Sequence, residues 1–357
     1  MMKNRKKVLA ICLGRIGGCV HYANAVINAI MARDDVECKA YISKYSFQKG
    51  IKNAEEILTY RNKWELLFAT PFILPFLLLK TFITIRSKKI DTVYFPAFYY
   101  WNVFFIWAAR LAKARVVYTE HDGLQHVGDE KPFENFFRSA CIKRSDHLIF
   151  LTDFVRKRVK KEIGFKVPSS VIPHGIFSPP KLIRKRRKHK SRPDLLFLGR
   201  VNHYKGVDIL LEAVKGIDPS LFNKLFVVGN SSVELESDIP NVVMVDRWVS
   251  EAEISKYLNR SDIMVLPYRS ASQSGVISLG ISSALPMVCT DVGGFSEQLI
   301  KNKHAVFCKP EDVKDLRRAI LKMIKDKQLY EDISDNLFRL SNELRWKDIA
   351  ERVSKVL

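Results

Sequence analysis

The stretch LLFLGRVNHYKGVDILLEAV, residues 195–214, decides how the chain reads. Four apolar residues stop at Gly199, the pattern of a short strand buried on both faces. Arg200 and Lys205 follow, five residues apart, before an amphipathic helix from 207 onward. Strand, tight turn and helix in that order are the start of a βαβ unit. Two cations at a strand's C-terminal end, beside a helix N-terminus, suit a diphosphate. Two surface cations in a very basic chain are the plainer reading of the same pair.

Outward from this segment the pattern recurs. Apolar runs at 8–13, 92–95, 115–119, 147–151, 225–228, 242–245, 263–266 and 287–290 read as further strands. Amphipathic stretches such as 207–214 and 251–258 lie between them. Alternating strand and helix predicts a doubly wound α/β fold. The 357 residues suffice for two domains with a core each, and 47% hydrophobic residues exclude a disordered chain. The segment FSPPKLIRKRRKHKSRP (177–193) divides them: three prolines and a dense Lys/Arg run read as an exposed basic linker. The net charge of +21 favours an anionic partner without choosing among nucleic acid, membrane and phosphorylated ligand. Six cysteines without a CxxC pair read as buried thiols of a reducing compartment. The basic, then apolar N-terminus reads as a first strand and not a signal peptide, so the cytoplasm is the expected location.

Three further loops carry candidate chemistry. Gly14-Arg15-Ile16-Gly17-Gly18 follows the first strand, where glycines let the backbone turn tightly and approach an anion. Its spacing is not GxGxxG, so a dinucleotide dehydrogenase is weakly supported. Thr119-Glu120-His121-Asp122-Gly123 ends another strand, and His121 there could donate to a reacting oxygen, or the loop is only a turn. His126 follows close by, and His174-Gly175 reads as a turn at the hinge. In SASQSGVISLGISSALPMVCTDVGGFSEQL (270–299), Gln273, Ser274, Gly275 and Val276 precede an apolar helix and could offer backbone N–H groups to phosphate. A second glycine loop, Gly293-Gly294, leads to Glu297. There is no DxD, P-loop, GxSxG or HExxH.

One apolar segment stands apart. LLFATPFILPFLLL (66–79) is uncharged, contains Pro71 and Pro75, and precedes Lys80, Arg86, Lys88 and Lys89. Fourteen residues fall short of the roughly 20 that span a bilayer. A helix at an anionic membrane interface and a core helix are both open. The aromatic stretch 95–107 reads as helix core or as part of an apolar acceptor surface.

In this order the segments resemble the family-4 group of retaining glycosyltransferases, most strongly at LGRVNHYKGVDILLEAV, SDIMVLPY and LPMVCTDVGGFSE. The resemblance implies the GT-B fold: two Rossmann-like, doubly wound domains facing across a cleft. It implies an acceptor domain at 1–176, a linker at 177–194, a donor domain at 195–340, and a C-terminal helix at 341–357 packing back on the first domain. It further implies a nucleotide-sugar donor, a glycan or lipid-linked acceptor, and no bound metal or cofactor. Arg200 and Lys205 would bind the donor diphosphate, with Gly17, Gly18 and the backbone of Ser274–Val276 near the same phosphates. Gln273 and Glu297 complete the expected donor site. His121 would contact the transferred sugar or the acceptor. The chain departs from the family pattern at one motif: Ser272 and Gly280 stand where the family has two glutamates eight residues apart.

Three other readings remain beside this one. A non-catalytic scaffold subunit of a polysaccharide-assembly complex is motivated by the missing glutamates. A metal-free nucleotide-sugar epimerase would need acid/base carboxylates that no strong pair supplies. A nucleic-acid binder rests on charge alone and would show steep salt dependence; no nucleic-acid partner is expected.

Overall fold

A computed structural model of the chain describes residues 5–47, 50–122, 133–232 and 237–357. Gly123 and His126 lie outside these residues. The chain divides into two compact units: one of residues up to Gly175 together with Trp346–Leu357, the other of Ile176–Arg345.

The first unit begins with β1 (Lys6–Cys12), α1 (Gly18–Met31), β2 (Val36–Ser43) and β3 (Glu55–Ile57). Then come α2 (Lys63–Phe68), α3 (Thr70–Lys88), β4 (Thr92–Phe95), α4 (Asn102–Leu111) and β5 (Arg115–Glu120). It ends with α5 (Glu134–Arg144), β6 (His147–Phe150), α6 (Asp153–Glu162) and β7 (Ser169–Val171). Among the described residues these strands form one parallel sheet in the order β3-β2-β1-β4-β5-β6-β7. The runs 92–95 and 147–150 are buried at every position, which is why they read as unbroken apolar segments.

The second unit holds β8 (Leu195–Leu198), α7 (Val207–Lys215), β9 (Leu225–Val228), β10 (Val242–Val245), α8 (Glu251–Arg260) and β11 (Ile263–Leu266). It continues with α9 (Gly275–Ser282), β12 (Met287–Thr290), α10 (Phe295–Gln298), β13 (Ala305–Cys308), α11 (Val313–Lys325) and α12 (Lys327–Glu343). Its parallel sheet runs β10-β9-β8-β11-β12-β13, with Leu195 opposite Leu225 on one side and Ile263 on the other. Ser250 and Glu253 form a capping box that starts α8. Helix α13 (Trp346–Ser354) returns to the first unit and packs on α1.

In each sheet the strand order reverses beside its first strand: between β1 and β4, and between β8 and β11. In open α/β sheets, ligands sit outside the carboxyl ends of the strands at that switch point. The loops after β1 and β8 therefore occupy the binding position of their own unit.

Two boundaries differ from the sequence expectation. The segment 177–194 is not an exposed linker throughout, because Arg187 is buried in the second unit. Its guanidinium donates to the carbonyls of Leu258, Asn259 and Ser261 where α8 ends, and to Ser283. A helix C-terminus leaves carbonyls unsatisfied and favours a cation, which fixes this arginine while its neighbours stay solvated. The division at 340/341 falls inside α12, whose buried Leu337 and Ser341 tie it to the second unit; the chain crosses over at Trp346.

Candidate active site

In the second unit, Gly199 ends β8 at φ 131°, and a Cβ on Gly229 would fall 2.0 Å from the Gly199 carbonyl. The turn after β8 is thus closed to side chains at its base, and it presents Arg200 exposed at its tip. Lys205 ends a single 3-10 turn, His203–Lys205, capped by Gly206 at φ 66°. A Cβ on Gly206 would lie 2.1 Å from the Pro267 carbonyl, so only glycine lets this turn lie against the end of β11. Arg269 clamps the turn from that strand's extension. Its Nη1 donates to the His203 carbonyl (2.7 Å) and to Asp208 (2.8 Å), while its backbone N–H donates to Tyr204 (2.8 Å). The guanidinium of Arg269 holds the Asp208 carboxyl below its ordinary pKa.

The Lys205 ammonium stands 3.7 Å from the centroid of the Tyr268 ring and 5.0 Å from that of Tyr204. Tyr268 is buried, and its ring meets Phe295 of α10 at 5.1 Å. One aromatic side chain thereby joins the Lys205 turn to the loop after Gly293-Gly294. A second link brings α9 to α10: Gln298 accepts from the Ser274 N–H (2.9 Å) and donates to the Ser274 carbonyl (3.4 Å). Lys205, Ser274 and α10 thus form one cluster at the ends of β8, β11 and β12. Glu297 is exposed on α10.

Two of the three backbone N–H groups expected to be offered at 274–276 have partners within the second unit. The Ser274 N–H is taken by Gln298, and the Val276 N–H by the Ser274 hydroxyl (3.3 Å), because Ser274 is the N-cap of α9. The carboxamide oxygen of Gln273 is buried with no hydrogen-bond partner, and so is the side-chain oxygen of Asn202 before the Lys205 turn. Both acceptors lie in the cluster that holds Lys205. Ser272 and Gly280, the two positions singled out in the sequence, are closed by packing. Ser272 is fully buried, and a Cβ on Gly280 would fall 2.6 Å from the Met287 sulfur.

In the first unit, Gly17 is the N-cap of α1 at φ 103°, and Gly18 opens the helix with free space at its Cβ position. The same helix carries Tyr22, whose ring meets His121 edge-on at 4.7 Å. His121 is buried at the end of β5, with Nε2 2.8 Å from the Pro96 carbonyl at the end of β4. Burial opposes its charge, but the Cys19 thiol, the Pro96 carbonyl and Asp122 outweigh it and raise the pKa to about 9. His174 proves to be more than a turn residue. It is buried against Tyr22 (5.3 Å) and Trp346 (5.6 Å), and burial lowers its pKa to about 4 despite the Gly175 carbonyl. A Cβ on Gly175 would come within 2.6 Å of the Trp346 ring, so glycine is required for that contact. The two imidazoles that meet Tyr22 thus have pKa values pushed in opposite directions.

The sequence reading missed what holds His121 in place. Glu120 is fully buried, accepts from Arg138 and from the Tyr118 hydroxyl (3.0 Å), and accepts the Asp122 backbone N–H (3.1 Å). Arg138 also reaches Glu134 (2.6 Å) and stacks on Phe98 (4.6 Å). The acidic residue inside TEHDG was the available signal; its partner lies 18 residues on.

The fold and these two switch-point clusters define a GT-B glycosyltransferase architecture. Sucrose-phosphate synthase from Thermosynechococcus elongatus shares it with a TM-score of 0.74, at 15% identity over 99% of this chain and 98% of that one. Anabaena HepE in complex with UDP matches with a TM-score of 0.74, at 16% identity over 98% of this chain and 99% of that one. Residues 16–177 match the model of Glycosyltransferase Family 4, and residues 192–326 that of Glycosyl transferases group 1. An uncharacterized glycosyltransferase of Methanocaldococcus jannaschii is 28% identical over 45% of this chain and 46% of its own length. The putative teichuronic acid biosynthesis glycosyltransferase TuaC of Bacillus subtilis is 26% identical over 59% of this chain and 54% of its own. The chain spans about half the length of these curated relatives. One family model on each unit, with these relatives, supports a GT4-type glycosyltransferase of the GT-B fold.

Proposed function

We infer that the protein transfers a sugar from a nucleotide-sugar to a glycan or lipid-linked acceptor, with retention at the anomeric carbon, in the synthesis of a polysaccharide or glycolipid. The observation that carries this is the Lys205 turn: a cation braced on Tyr268 at the switch point of the second sheet, with Arg200 exposed on the same loop. The solved relative with UDP supports a nucleoside diphosphate as the ligand class. Arg200 and Lys205 stabilise the charge that builds on the leaving diphosphate. Charge held in a preorganised position costs no reorganisation as the bond breaks, and the cation–π contact supplies that preorganisation for Lys205. In the same reading His121 orients the sugar and the incoming hydroxyl, and the protein works in the cytoplasm, peripherally on the inner face of the membrane.

The test is a thermal-shift screen against UDP, GDP, ADP and their sugars, since a ligand of the native state raises apparent stability. A nucleotide hit should disappear in Arg200→Ala and Lys205→Ala, and transfer should fall with it. Transfer at the wild-type rate in both variants refutes the assignment.

A second reading has its own observation. With Gly280 packed against Met287 and Ser272 buried, the ribose grip of the family is absent, which favours a binding or scaffold subunit. Hydrolysis or transfer of a nucleotide-sugar by the purified chain excludes that reading.

A further inference from the structure

The first unit carries an apolar face wider than the segment 66–79 suggests. On α3, Leu74, Leu77, Thr81 and Ile85 are buried in the unit, while Phe72, Phe76, Leu79 and Ile83 are exposed. The exposed set recurs at steps of four, three and four residues, so it forms one stripe on the outer side of the helix. The helix is therefore apolar on two opposite faces and has only one of them covered. By length and composition α3 is long and apolar enough to cross a bilayer. Its inner face belongs to the core of the first unit.

The stripe continues onto both neighbours. Helix α2 exposes Trp64, Leu67 and Phe68, the two rings stacked at 6.2 Å. Helix α4, packed beside α3, exposes Phe104, Trp107 and Leu111 at steps of three and four. Phe72 is 82% exposed, Phe76 68% and Trp107 51%. Contiguous apolar surface of this kind marks an interaction site.

Charge chooses the occupant. Residues 66–89 contain no Asp or Glu, and neither do residues 92–119. Arg86, Lys88 and Lys89 are exposed at the end of α3, Arg110 and Lys113 at the end of α4, and Arg144 lies 5.3 Å over the Trp107 ring. The acids beside the face are paired: Glu55 with Lys80, Glu65 with Arg61, Asp146 with Arg110. A second copy of a chain with net charge +21 would bring like charge to like. An anionic leaflet meets both features, since aromatic side chains settle at the headgroup level and lysine and arginine meet lipid phosphate.

We propose that α2, α3 and α4 together form the docking face by which this protein seats on an anionic membrane. This rests on the peripheral-membrane reading above and names the surface responsible. The experiment sediments the full chain with phosphatidylcholine vesicles, with and without phosphatidylserine, at low salt. Wild type should bind the anionic vesicles, and a Phe72→Ser/Phe76→Ser/Trp107→Ser variant should bind at least about tenfold more weakly. A Trp248→Ser/Ile300→Ser control, exposed on the second unit, should match wild type. Circular dichroism and melting temperature check that the triple variant is folded. If it is not, Arg86→Glu/Lys88→Glu/Lys89→Glu replaces it and should lose the preference for anionic vesicles. Equal binding by wild type and folded triple variant overturns the assignment of the face and leaves membrane contact standing. Failure of wild type to bind any vesicle overturns both. A wild-type dimer that the triple variant makes monomeric, with no vesicle binding, gives the face to a second copy and overturns the proposal.

Discussion

The sharpest test of the second unit is at Gly280, where packing leaves no room for a side chain. Met287 is fully buried in β12, and three of its consecutive atoms crowd the space a Cβ would take: Sδ at 2.6 Å, Cε at 3.2 Å and Cγ at 3.3 Å. Rotating the terminal methyl does not clear such a contact, so the helix or the strand must shift. Overpacking of this kind costs about 1–3 kcal/mol, and alanine recovers about 1 kcal/mol as a better helix former than glycine. Gly280→Ala should therefore be neutral to about 2 kcal/mol destabilising. Gly280→Glu adds a buried carboxylate with no partner and should cost several kcal/mol more, without tightening nucleotide binding. Met287→Ala alone leaves a hole and should cost about 2–5 kcal/mol. In the double variant Gly280→Ala/Met287→Ala the new methyl enters the vacated space, so the two losses should fall short of their sum by about 1–3 kcal/mol. Urea unfolding followed by intrinsic fluorescence measures all four. Losses that add to within about 0.5 kcal/mol would refute the packing argument, and a Gly280→Glu variant that is as stable as wild type and binds UDP more tightly would refute the account of Gly280.

Two further outcomes are expected. Tyr268→Leu removes the ring beneath Lys205 and should weaken nucleoside diphosphate binding by about 1–2 kcal/mol, whereas Tyr268→Phe keeps the ring and should stay near wild type in a calorimetric titration. Equal losses in both variants would assign the effect to the hydroxyl, and not to the cation–π contact. Stability should depend on pH through the two histidines of the first unit. His121, raised to about 9, contributes stability that is complete below about 6.5 and lost as pH rises through 9; His174, lowered to about 4, contributes stability present above about 6.5 and lost as pH falls through 4. The melting temperature of His121→Asn should fall less than that of wild type between pH 7 and pH 9, and that of His174→Asn should fall less on acidification. Parallel curves for wild type and both variants would contradict these assignments.

The legible part of the fold was the set of strands buried on both faces. Residues 195–198, 225–228 and 263–266 are unbroken apolar runs, and 287–290 is interrupted only by Thr290, because few polar groups are tolerated where two helical layers cover a sheet. The strands β2, β3, β7 and β13 were not marked. VECKAYIS exposes Glu37 and Lys39 along its first half, and AVFC is four residues set between charged turns. The strand-turn-cation pattern at 195–206 was legible for the same local reason: its geometry is set by neighbours in sequence.

What the sequence determined by itself, then, was local: strand, glycine turn and cation at each switch point. The tertiary structure decided which residues complete these local pieces. Tyr268 under Lys205, Arg138 on Glu120, Gln298 on Ser274 and Met287 over Gly280 join positions from 7 to 63 residues apart in the chain. The basic run at 177–193 shows why composition does not suffice: only Arg187 meets the carbonyls at the end of α8, although its neighbours have the same charge. The two apolar faces of α3 make the same point, since hydropathy registers both, and only packing says which one remains uncovered. Local patterns fix backbone conformation through short-range sterics and burial period, whereas side-chain partnership depends on which strand ends the sheet order brings together.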